Sequence, residues 1–132
     1  MRLSPEMLLL GAAALLFGSP RRGSSAPHAG FLTLDGLRAL AGEAGFSDVD
    51  TAAAVAMAES GGNASAVGDG GQSFGLWQIH VPSHPEVDRS RLLDARYNAA
   101  QALRISQHGS SWAPWTTYRN GAYRAFMPQG VS

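Results

Sequence analysis

The chain has 132 residues, 45% hydrophobic and 15% charged, a balance that suits one folded domain after a short extension and excludes a wholly disordered chain. Ten basic residues, all of them arginine, offset ten acidic ones; without a basic surplus nothing points to a nucleic-acid partner. The absence of cysteine removes disulfides, thiolate metal sites and a cysteine nucleophile, so the domain must rely on its apolar core.

Met7–Phe17 is an unbroken apolar or small-residue run, preceded by Arg2 and closed by Gly18-Ser19-Pro20. It has the length of a signal-peptide hydrophobic region and falls short of the roughly 20 residues that span a bilayer comfortably. Arg21 and Arg22 follow where a cleavage region is normally neutral, and Ser24-Ser25-Ala26 is the nearest approach to a cleavage site. A signal peptide, an uncleaved anchor in contact with a membrane and a short buried helix all remain open. The stretch from Gly18 to Gly30 is rich in Gly, Ser, Pro and Arg and reads as a linker. The expected division is therefore 1–30 for leader and linker and 31–132 for the domain.

Within the domain, a first helix is expected from about Leu34 to Ala44, capped by Thr33 and ended by Gly45. A second runs from about Asp48 to Glu59 or Ser60, with Ser47 and Asp50 as a capping pair and Gly61-Gly62 as an abrupt stop. The glycine-rich stretch from Asn63 to Val81 suggests turns and a short β-hairpin. A third helix is expected from Asp94 to His108, closed by Gly109, and a last one from Pro114 or Trp115 to about Phe126, with Gly121 inside it. The fold class is thus α+β, mostly α.

The second helix puts Ala52, Val55, Ala56 and Glu59 on one face. Glu59 then ends an apolar stripe, where desolvation raises the pKa of a carboxyl and suits it to protonate a leaving oxygen. Alone, such a residue reads more readily as a surface glutamate at a frayed helix end. Further along stand Gly75-Leu76-Trp77-Gln78-Ile79, Leu93-Asp94-Ala95-Arg96-Tyr97-Asn98 and Tyr118-Arg119-Asn120-Gly121. With Glu59-Ser60 ahead of them, these segments resemble, in order, the signature of the lytic transglycosylase and goose-type lysozyme superfamily. Trp77 replaces the family Met, and Ala95 the family Pro.

The resemblance covers roughly Phe31 to Phe126 and implies a lysozyme-like domain that cuts the β-1,4 bond between N-acetylmuramic acid and N-acetylglucosamine. It makes Glu59 the general acid and then the general base. Gln78 is implied as a glycan-binding amide in the cleft, Trp77 as an aromatic wall, and Tyr118 as a phenol that steadies the Glu59 carboxyl. Trp77 and Tyr118 also read as core aromatics, and Asn98 as a structural residue that bonds the loop carrying the cleft. Asp69, between glycines, is a candidate second carboxylate or ordinary turn chemistry. No cofactor and no metal is implied. His80 and His84 lie four apart near Glu86, but Pro82 and Pro85 break any helix there, so they read as loop histidines.

The partner so implied is the glycan strand of peptidoglycan, and the location the cell envelope or a phage virion, with wall penetration by a phage, bacterial wall remodelling or service in a secretion machine as the settings. As an anchor, Met7–Phe17 with the arginine pair behind it would favour holding its C-terminal side in the cytoplasm. That placement suits a protein carried in a phage particle better than a cell's own wall enzyme. A non-catalytic module that binds glycan or a partner is the competing reading, since a fold alone does not decide activity.

Overall fold

The computed structural model describes residues 30–128; the Met7–Phe17 run and the linker ahead of Gly30 lie outside them. Helix α1 spans Leu34–Ala44, with the Thr33 side chain accepting from Gly36 N and Gly45 closing it at φ 117°, as the capping residues predict. Its inner face is Leu37, Leu40 and Ala41. Helix α2 spans Val49–Ser60. Its cap is Asp48, not Ser47: the Asp48 carboxylate accepts from Thr51 N at 3.0 Å and from the Thr51 hydroxyl at 2.7 Å. Asp50 instead faces Arg38 of α1, with Arg38 Nε 3.0 Å from Oδ1.

The expected single hairpin has one strand more. Strands β1 (Val67–Gly68), β2 (Ser73–Phe74) and β3 (Ile79–His80) form an antiparallel meander. Val67 pairs with Phe74, and Phe74 in turn with Ile79. Helix α3 spans Ala95–Ile105, capped by Asp94. It ends before the expected His108 because Gln107 and His108 take positive φ values of 54° and 61°, and the His108 N–H turns back to Leu103 O at 2.8 Å. The last expected helix is two pieces, α4 (Thr116–Arg119) and a 3-10 segment Ala122–Phe126. Gly121 sits between them at φ 82°, and the Asn120 side chain accepts from Ala122 N at 2.8 Å. A left-handed glycine and a local side-chain turn stop a helix that the apolar pattern alone would continue.

Helix α2 is the axis of the packing. Ala52, Ala53, Ala54, Val55 and Ala56 are all fully buried, with α1 and the 3-10 segment Ala122–Phe126 packed against the helix. The one-sided stripe expected from its periodicity is therefore an under-reading, because small alanines let neighbours close on it from more than one direction. An aromatic stack completes the core. Phe46 lies between Trp77 at 6.1 Å and Trp112 at 5.6 Å, and Trp112 meets Trp115 at 5.0 Å. Both inner indoles find backbone acceptors: Trp77 Nε1 donates to Ala52 O at 3.1 Å, and Trp115 Nε1 to Trp77 O at 2.8 Å. Those bonds tie α2, the loop before β3 and the start of α4 into one unit. Among the described residues no helix is long and apolar enough to cross a membrane.

Candidate active site

Ser60 ends α2 by bonding back to Ala56 O at 2.9 Å and accepting from Gly62 N at 3.2 Å. Gly61 then caps the helix in the left-handed region. The stop leaves Glu59, one residue earlier, half-buried at the mouth of a cleft of about 630 Å³. Its carboxylate accepts from the Thr117 hydroxyl of α4 at 2.8 Å. Burial pushes the Glu59 carboxyl above its ordinary range, the Thr117 side-chain and backbone bonds pull it back in part, and the negative charge of Asp69 pushes it up again. The net shift is upward, because desolvation disfavours the charged form more than the two hydrogen bonds restore it.

Asp69 lines the same cleft from the turn after β1. It does the work of a turn as well, at φ 51° with Oδ2 accepting from the Ser73 hydroxyl at 2.5 Å. Turn residue and cleft carboxylate are thus the same group. Gln78 also lines the cleft, at a left-handed φ of 46° that a non-glycine residue adopts only when its surroundings impose it. Its Nε2 is committed to Ala66 O at 3.1 Å and Gly75 O at 3.0 Å. A Cβ at Gly68 would collide with Gln78 Oε1, so the glycine makes room for the amide. Gln78 therefore shapes the wall through backbone bonds, and the part it can offer a sugar is its carbonyl oxygen.

Two implied site residues stand elsewhere. Trp77 is 0% exposed; its ring is core, and it has no face left for a glycan. Tyr118 does not line the Glu59 cleft. It stacks on Tyr123 at 4.6 Å and borders a separate depression with Trp112 and Arg119. The adjacent residue, Thr117, takes the place expected for the phenol, with its hydroxyl on the Glu59 carboxylate. Sequence reasoning missed Thr117, and also the placement of His80, Ser83 and His84 on the cleft wall. The proximity of the two histidines was visible, but their loop setting concealed that the loop lines the cleft.

Asn98 fulfils its structural expectation. It is fully buried and fully used: Oδ1 accepts from Trp77 N at 2.9 Å, and Nδ2 donates to Phe74 O at 2.8 Å and Leu92 O at 2.9 Å. Gly75 is the complement of this arrangement. It sits at φ 82°, and a Cβ there would strike Asn98 Nδ2 and Leu92 O. The Gly-Leu-Trp-Gln stretch is thus a scaffold segment whose glycine and tryptophan serve packing and whose glutamine reaches the cleft. Among the described residues no group of three or more His, Asp or Glu side chains is placed to hold a metal ion.

A half-buried carboxyl at a helix end, in a cleft lined also by the loop after β3, is the disposition the family resemblance implies. A family model described as Lysozyme like domain matches residues 38–117. The chain belongs to this lysozyme-like family. The match spans α1 through the start of α4 and so includes both Glu59 and Thr117. Membership places the protein, at the level of the family, among peptidoglycan-acting glycosidases of the lytic transglycosylase and lysozyme-like superfamily. The mostly helical α+β architecture with one small antiparallel sheet agrees with it. No curated protein and no solved structure matches the chain significantly.

Proposed function

We propose that this protein is a lytic transglycosylase that cuts the β-1,4 bond between N-acetylmuramic acid and N-acetylglucosamine, with Glu59 as its acid and base. The observation that carries the reading is the half-buried Glu59 carboxyl, raised by burial and oriented by Thr117 at the cleft. Protonated, it delivers its hydrogen to the bridging oxygen as the bond from C1 of the muramoyl ring breaks. The carboxylate so formed takes the proton of the same ring's C6 hydroxyl, and O6 closes on C1. The product is a 1,6-anhydro ring, no water is consumed, and the proton is back on Glu59. Thr117 suits both halves of the cycle, since its hydroxyl steadies the carboxylate that forms between them.

Asp69 supports a second route at the same centre. A carboxylate across from the acid can activate water, as in glycosidases that use a pair, and Asp69 lines this cleft and acts on Glu59 through its charge. Its bond to Ser73 and its turn geometry favour a structural part, so the anhydro route is the one proposed. Gln78 is proposed as a glycan contact through its carbonyl oxygen. For the biological setting we propose the cell envelope or a phage particle that opens the wall locally; detection of the chain in purified virions would select the second.

Purified cell walls test the proposal. Glu59→Gln should lose about a hundredfold to ten-thousandfold in clearing rate, the usual worth of a general acid–base group. Mass spectrometry of the parent's digest should find 1,6-anhydromuramoyl ends. Reducing ends alone, with activity abolished in Asp69→Asn, would make it a hydrolase. Equal clearing by parent and Glu59→Gln would remove Glu59 from the chemistry, and clearing by neither would leave a glycan-binding module.

A further inference from the structure

The cleft is chemically two-sided. Glu59 and Asp69 supply its acidic part, while His80, Ser83 and His84, from the end of β3 and the loop after it, supply another stretch of wall. One ring nitrogen of each histidine lies toward a neighbouring side chain. His80 Nδ1 is 2.8 Å from the Ser83 hydroxyl, and His84 Nδ1 is 3.6 Å from Glu86 Oε2. The same Glu86 oxygen accepts from Arg104 Nη2 at 2.8 Å, so the arginine of α3 already answers the glutamate's charge. Where Ser83 donates to Nδ1, the His80 ring carries its hydrogen on Nε2, and on both rings Nε2 is the nitrogen left for a ligand. The titratable groups around this stretch are therefore Glu59 and Asp69 along the cleft and Glu86 and Arg104 behind His84. The reaction proposed above uses neither histidine.

Two imidazoles with free Nε2 atoms, in a cleft that accommodates a polymer of neutral amino sugars, match an anionic substituent on that polymer. We propose that His80 and His84 form a subsite for a carboxylate borne on the muramoyl ring, so that the enzyme reads the acidic side group as well as the sugar backbone. This rests on the glycan-cleaving reading and deepens it. The carboxylate has two sources: the lactyl group of a strand stripped of its peptide, or an acidic residue of an attached stem peptide. If the lactyl group is the ligand, an amide-bond hydrolysis that removes the peptide must come before this enzyme in the reaction sequence, because the amide link otherwise masks the charge.

The test uses binding to the full chain carrying Glu59→Gln, which holds glycan without turning it over. The probes are a peptide-free muramoyl–glucosaminyl tetrasaccharide, its lactyl methyl esters, and the same tetrasaccharide bearing stem peptides. Calorimetry should show the free acid or the peptide-bearing form binding about tenfold more tightly than the ester, as suits a charge-assisted hydrogen bond. Whichever form is favoured names the source. Adding H80Q and H84Q should bring that ratio to about one, while H80R with H84R, which supply guanidinium N–H donors at both positions, should retain it. Equal binding of acid, ester and peptide-bearing forms overturns the subsite while leaving the glycan reading in place. An unchanged preference in the folded H80Q/H84Q protein, checked by its thermal transition, also overturns it. Failure to bind any of the probes overturns both the subsite and the glycan reading beneath it.

Discussion

The wall of the cleft that runs from Ser73 to His84 hangs from a buried residue outside it, whereas the wall where α2 ends meets its neighbour α4 through the Glu59–Thr117 hydrogen bond. On the first wall, Asn98 holds the backbone at Phe74 and Trp77, Gly75 fits against the same amide, and Gln78 is pinned by two carbonyls. From Phe74 to Gln78 its polar groups are spent on keeping shape. On the second wall the carboxyl is half-buried, and its raised pKa records an unfavourable burial of charge. A preorganised frame is where stability is invested, and the reactive group is where it is given up. The two walls should therefore answer mutation in different currencies.

The largest effect expected on stability belongs to the first wall. Asn98→Ala strips partners from Trp77 N, Phe74 O and Leu92 O in a buried place. Unsatisfied buried groups cost about 1–3 kcal/mol each, so a loss of about 3 kcal/mol or more in denaturant unfolding is the expected outcome. A loss below about 1 kcal/mol would mean that water replaces the amide and that this wall is no more rigid than the other. Gly75→Ala should act in the same direction, through backbone strain and the same collision.

How much of this contrast could be read from the sequence depended on the range of the contacts. The ends of α1 and the stop of α2 follow from Thr33, Gly45 and Gly61-Gly62, each acting within a few residues, and they stand where expected. The mouth of the cleft at Glu59 follows from the same local chemistry, while the structural part of Asn98, bonded across 21 and 24 positions, was legible only through the family resemblance. What was hidden acts across long separations. Thr117 reaches Glu59 from 58 positions away, and nothing about a threonine beside a tyrosine marks it out. Trp77 is swallowed by Phe46 and the carbonyl of Ala52, so an aromatic that resembled a sugar platform became core. The break at Gly121 was local and legible in principle. It was overridden by an apolar pattern that runs on through Tyr123 and Phe126.

Thr117→Val probes the second wall and should cost function, not fold. The substitution removes a donor to the carboxylate, so the Glu59 pKa rises further. Activity that depends on the protonated acid is lost as pH rises through that pKa, so the alkaline limb of the rate profile should move to higher pH. The rate at its maximum should still fall about tenfold, because the carboxyl is no longer held in line. Thr117→Ser, which restores the hydroxyl, should recover most of both effects. An unmoved alkaline limb would show that the Thr117 bond has no part in setting the acid.

Glu59→Gln sharpens the same contrast through stability. The folded pKa of Glu59 lies above its ordinary value, so the folded state binds the proton more tightly than the unfolded chain does. That advantage is fully present below the ordinary carboxylate range and is lost as pH rises through the folded pKa. A neutral amide escapes the loss. The variant should therefore match the parent's melting temperature in acid and exceed it by a few degrees at neutral pH, although it is inactive. A parallel offset at every pH would assign the gain to packing and not to the buried charge.

The smallest effect is expected at Tyr118, where the family resemblance and the structure part company. Its ring stacks on Tyr123 and borders a separate depression, so Tyr118→Phe keeps the stack and removes only the hydroxyl. Clearing rate and its pH profile should stay within about twofold of the parent, and stability within about 0.5 kcal/mol, as for a surface change. A large loss of activity at unchanged stability would mean that α4 rotates when glycan binds and brings the phenol to the carboxyl. The looser wall would then be a moving part, and Thr117 would be the partner of Glu59 only while the cleft is empty.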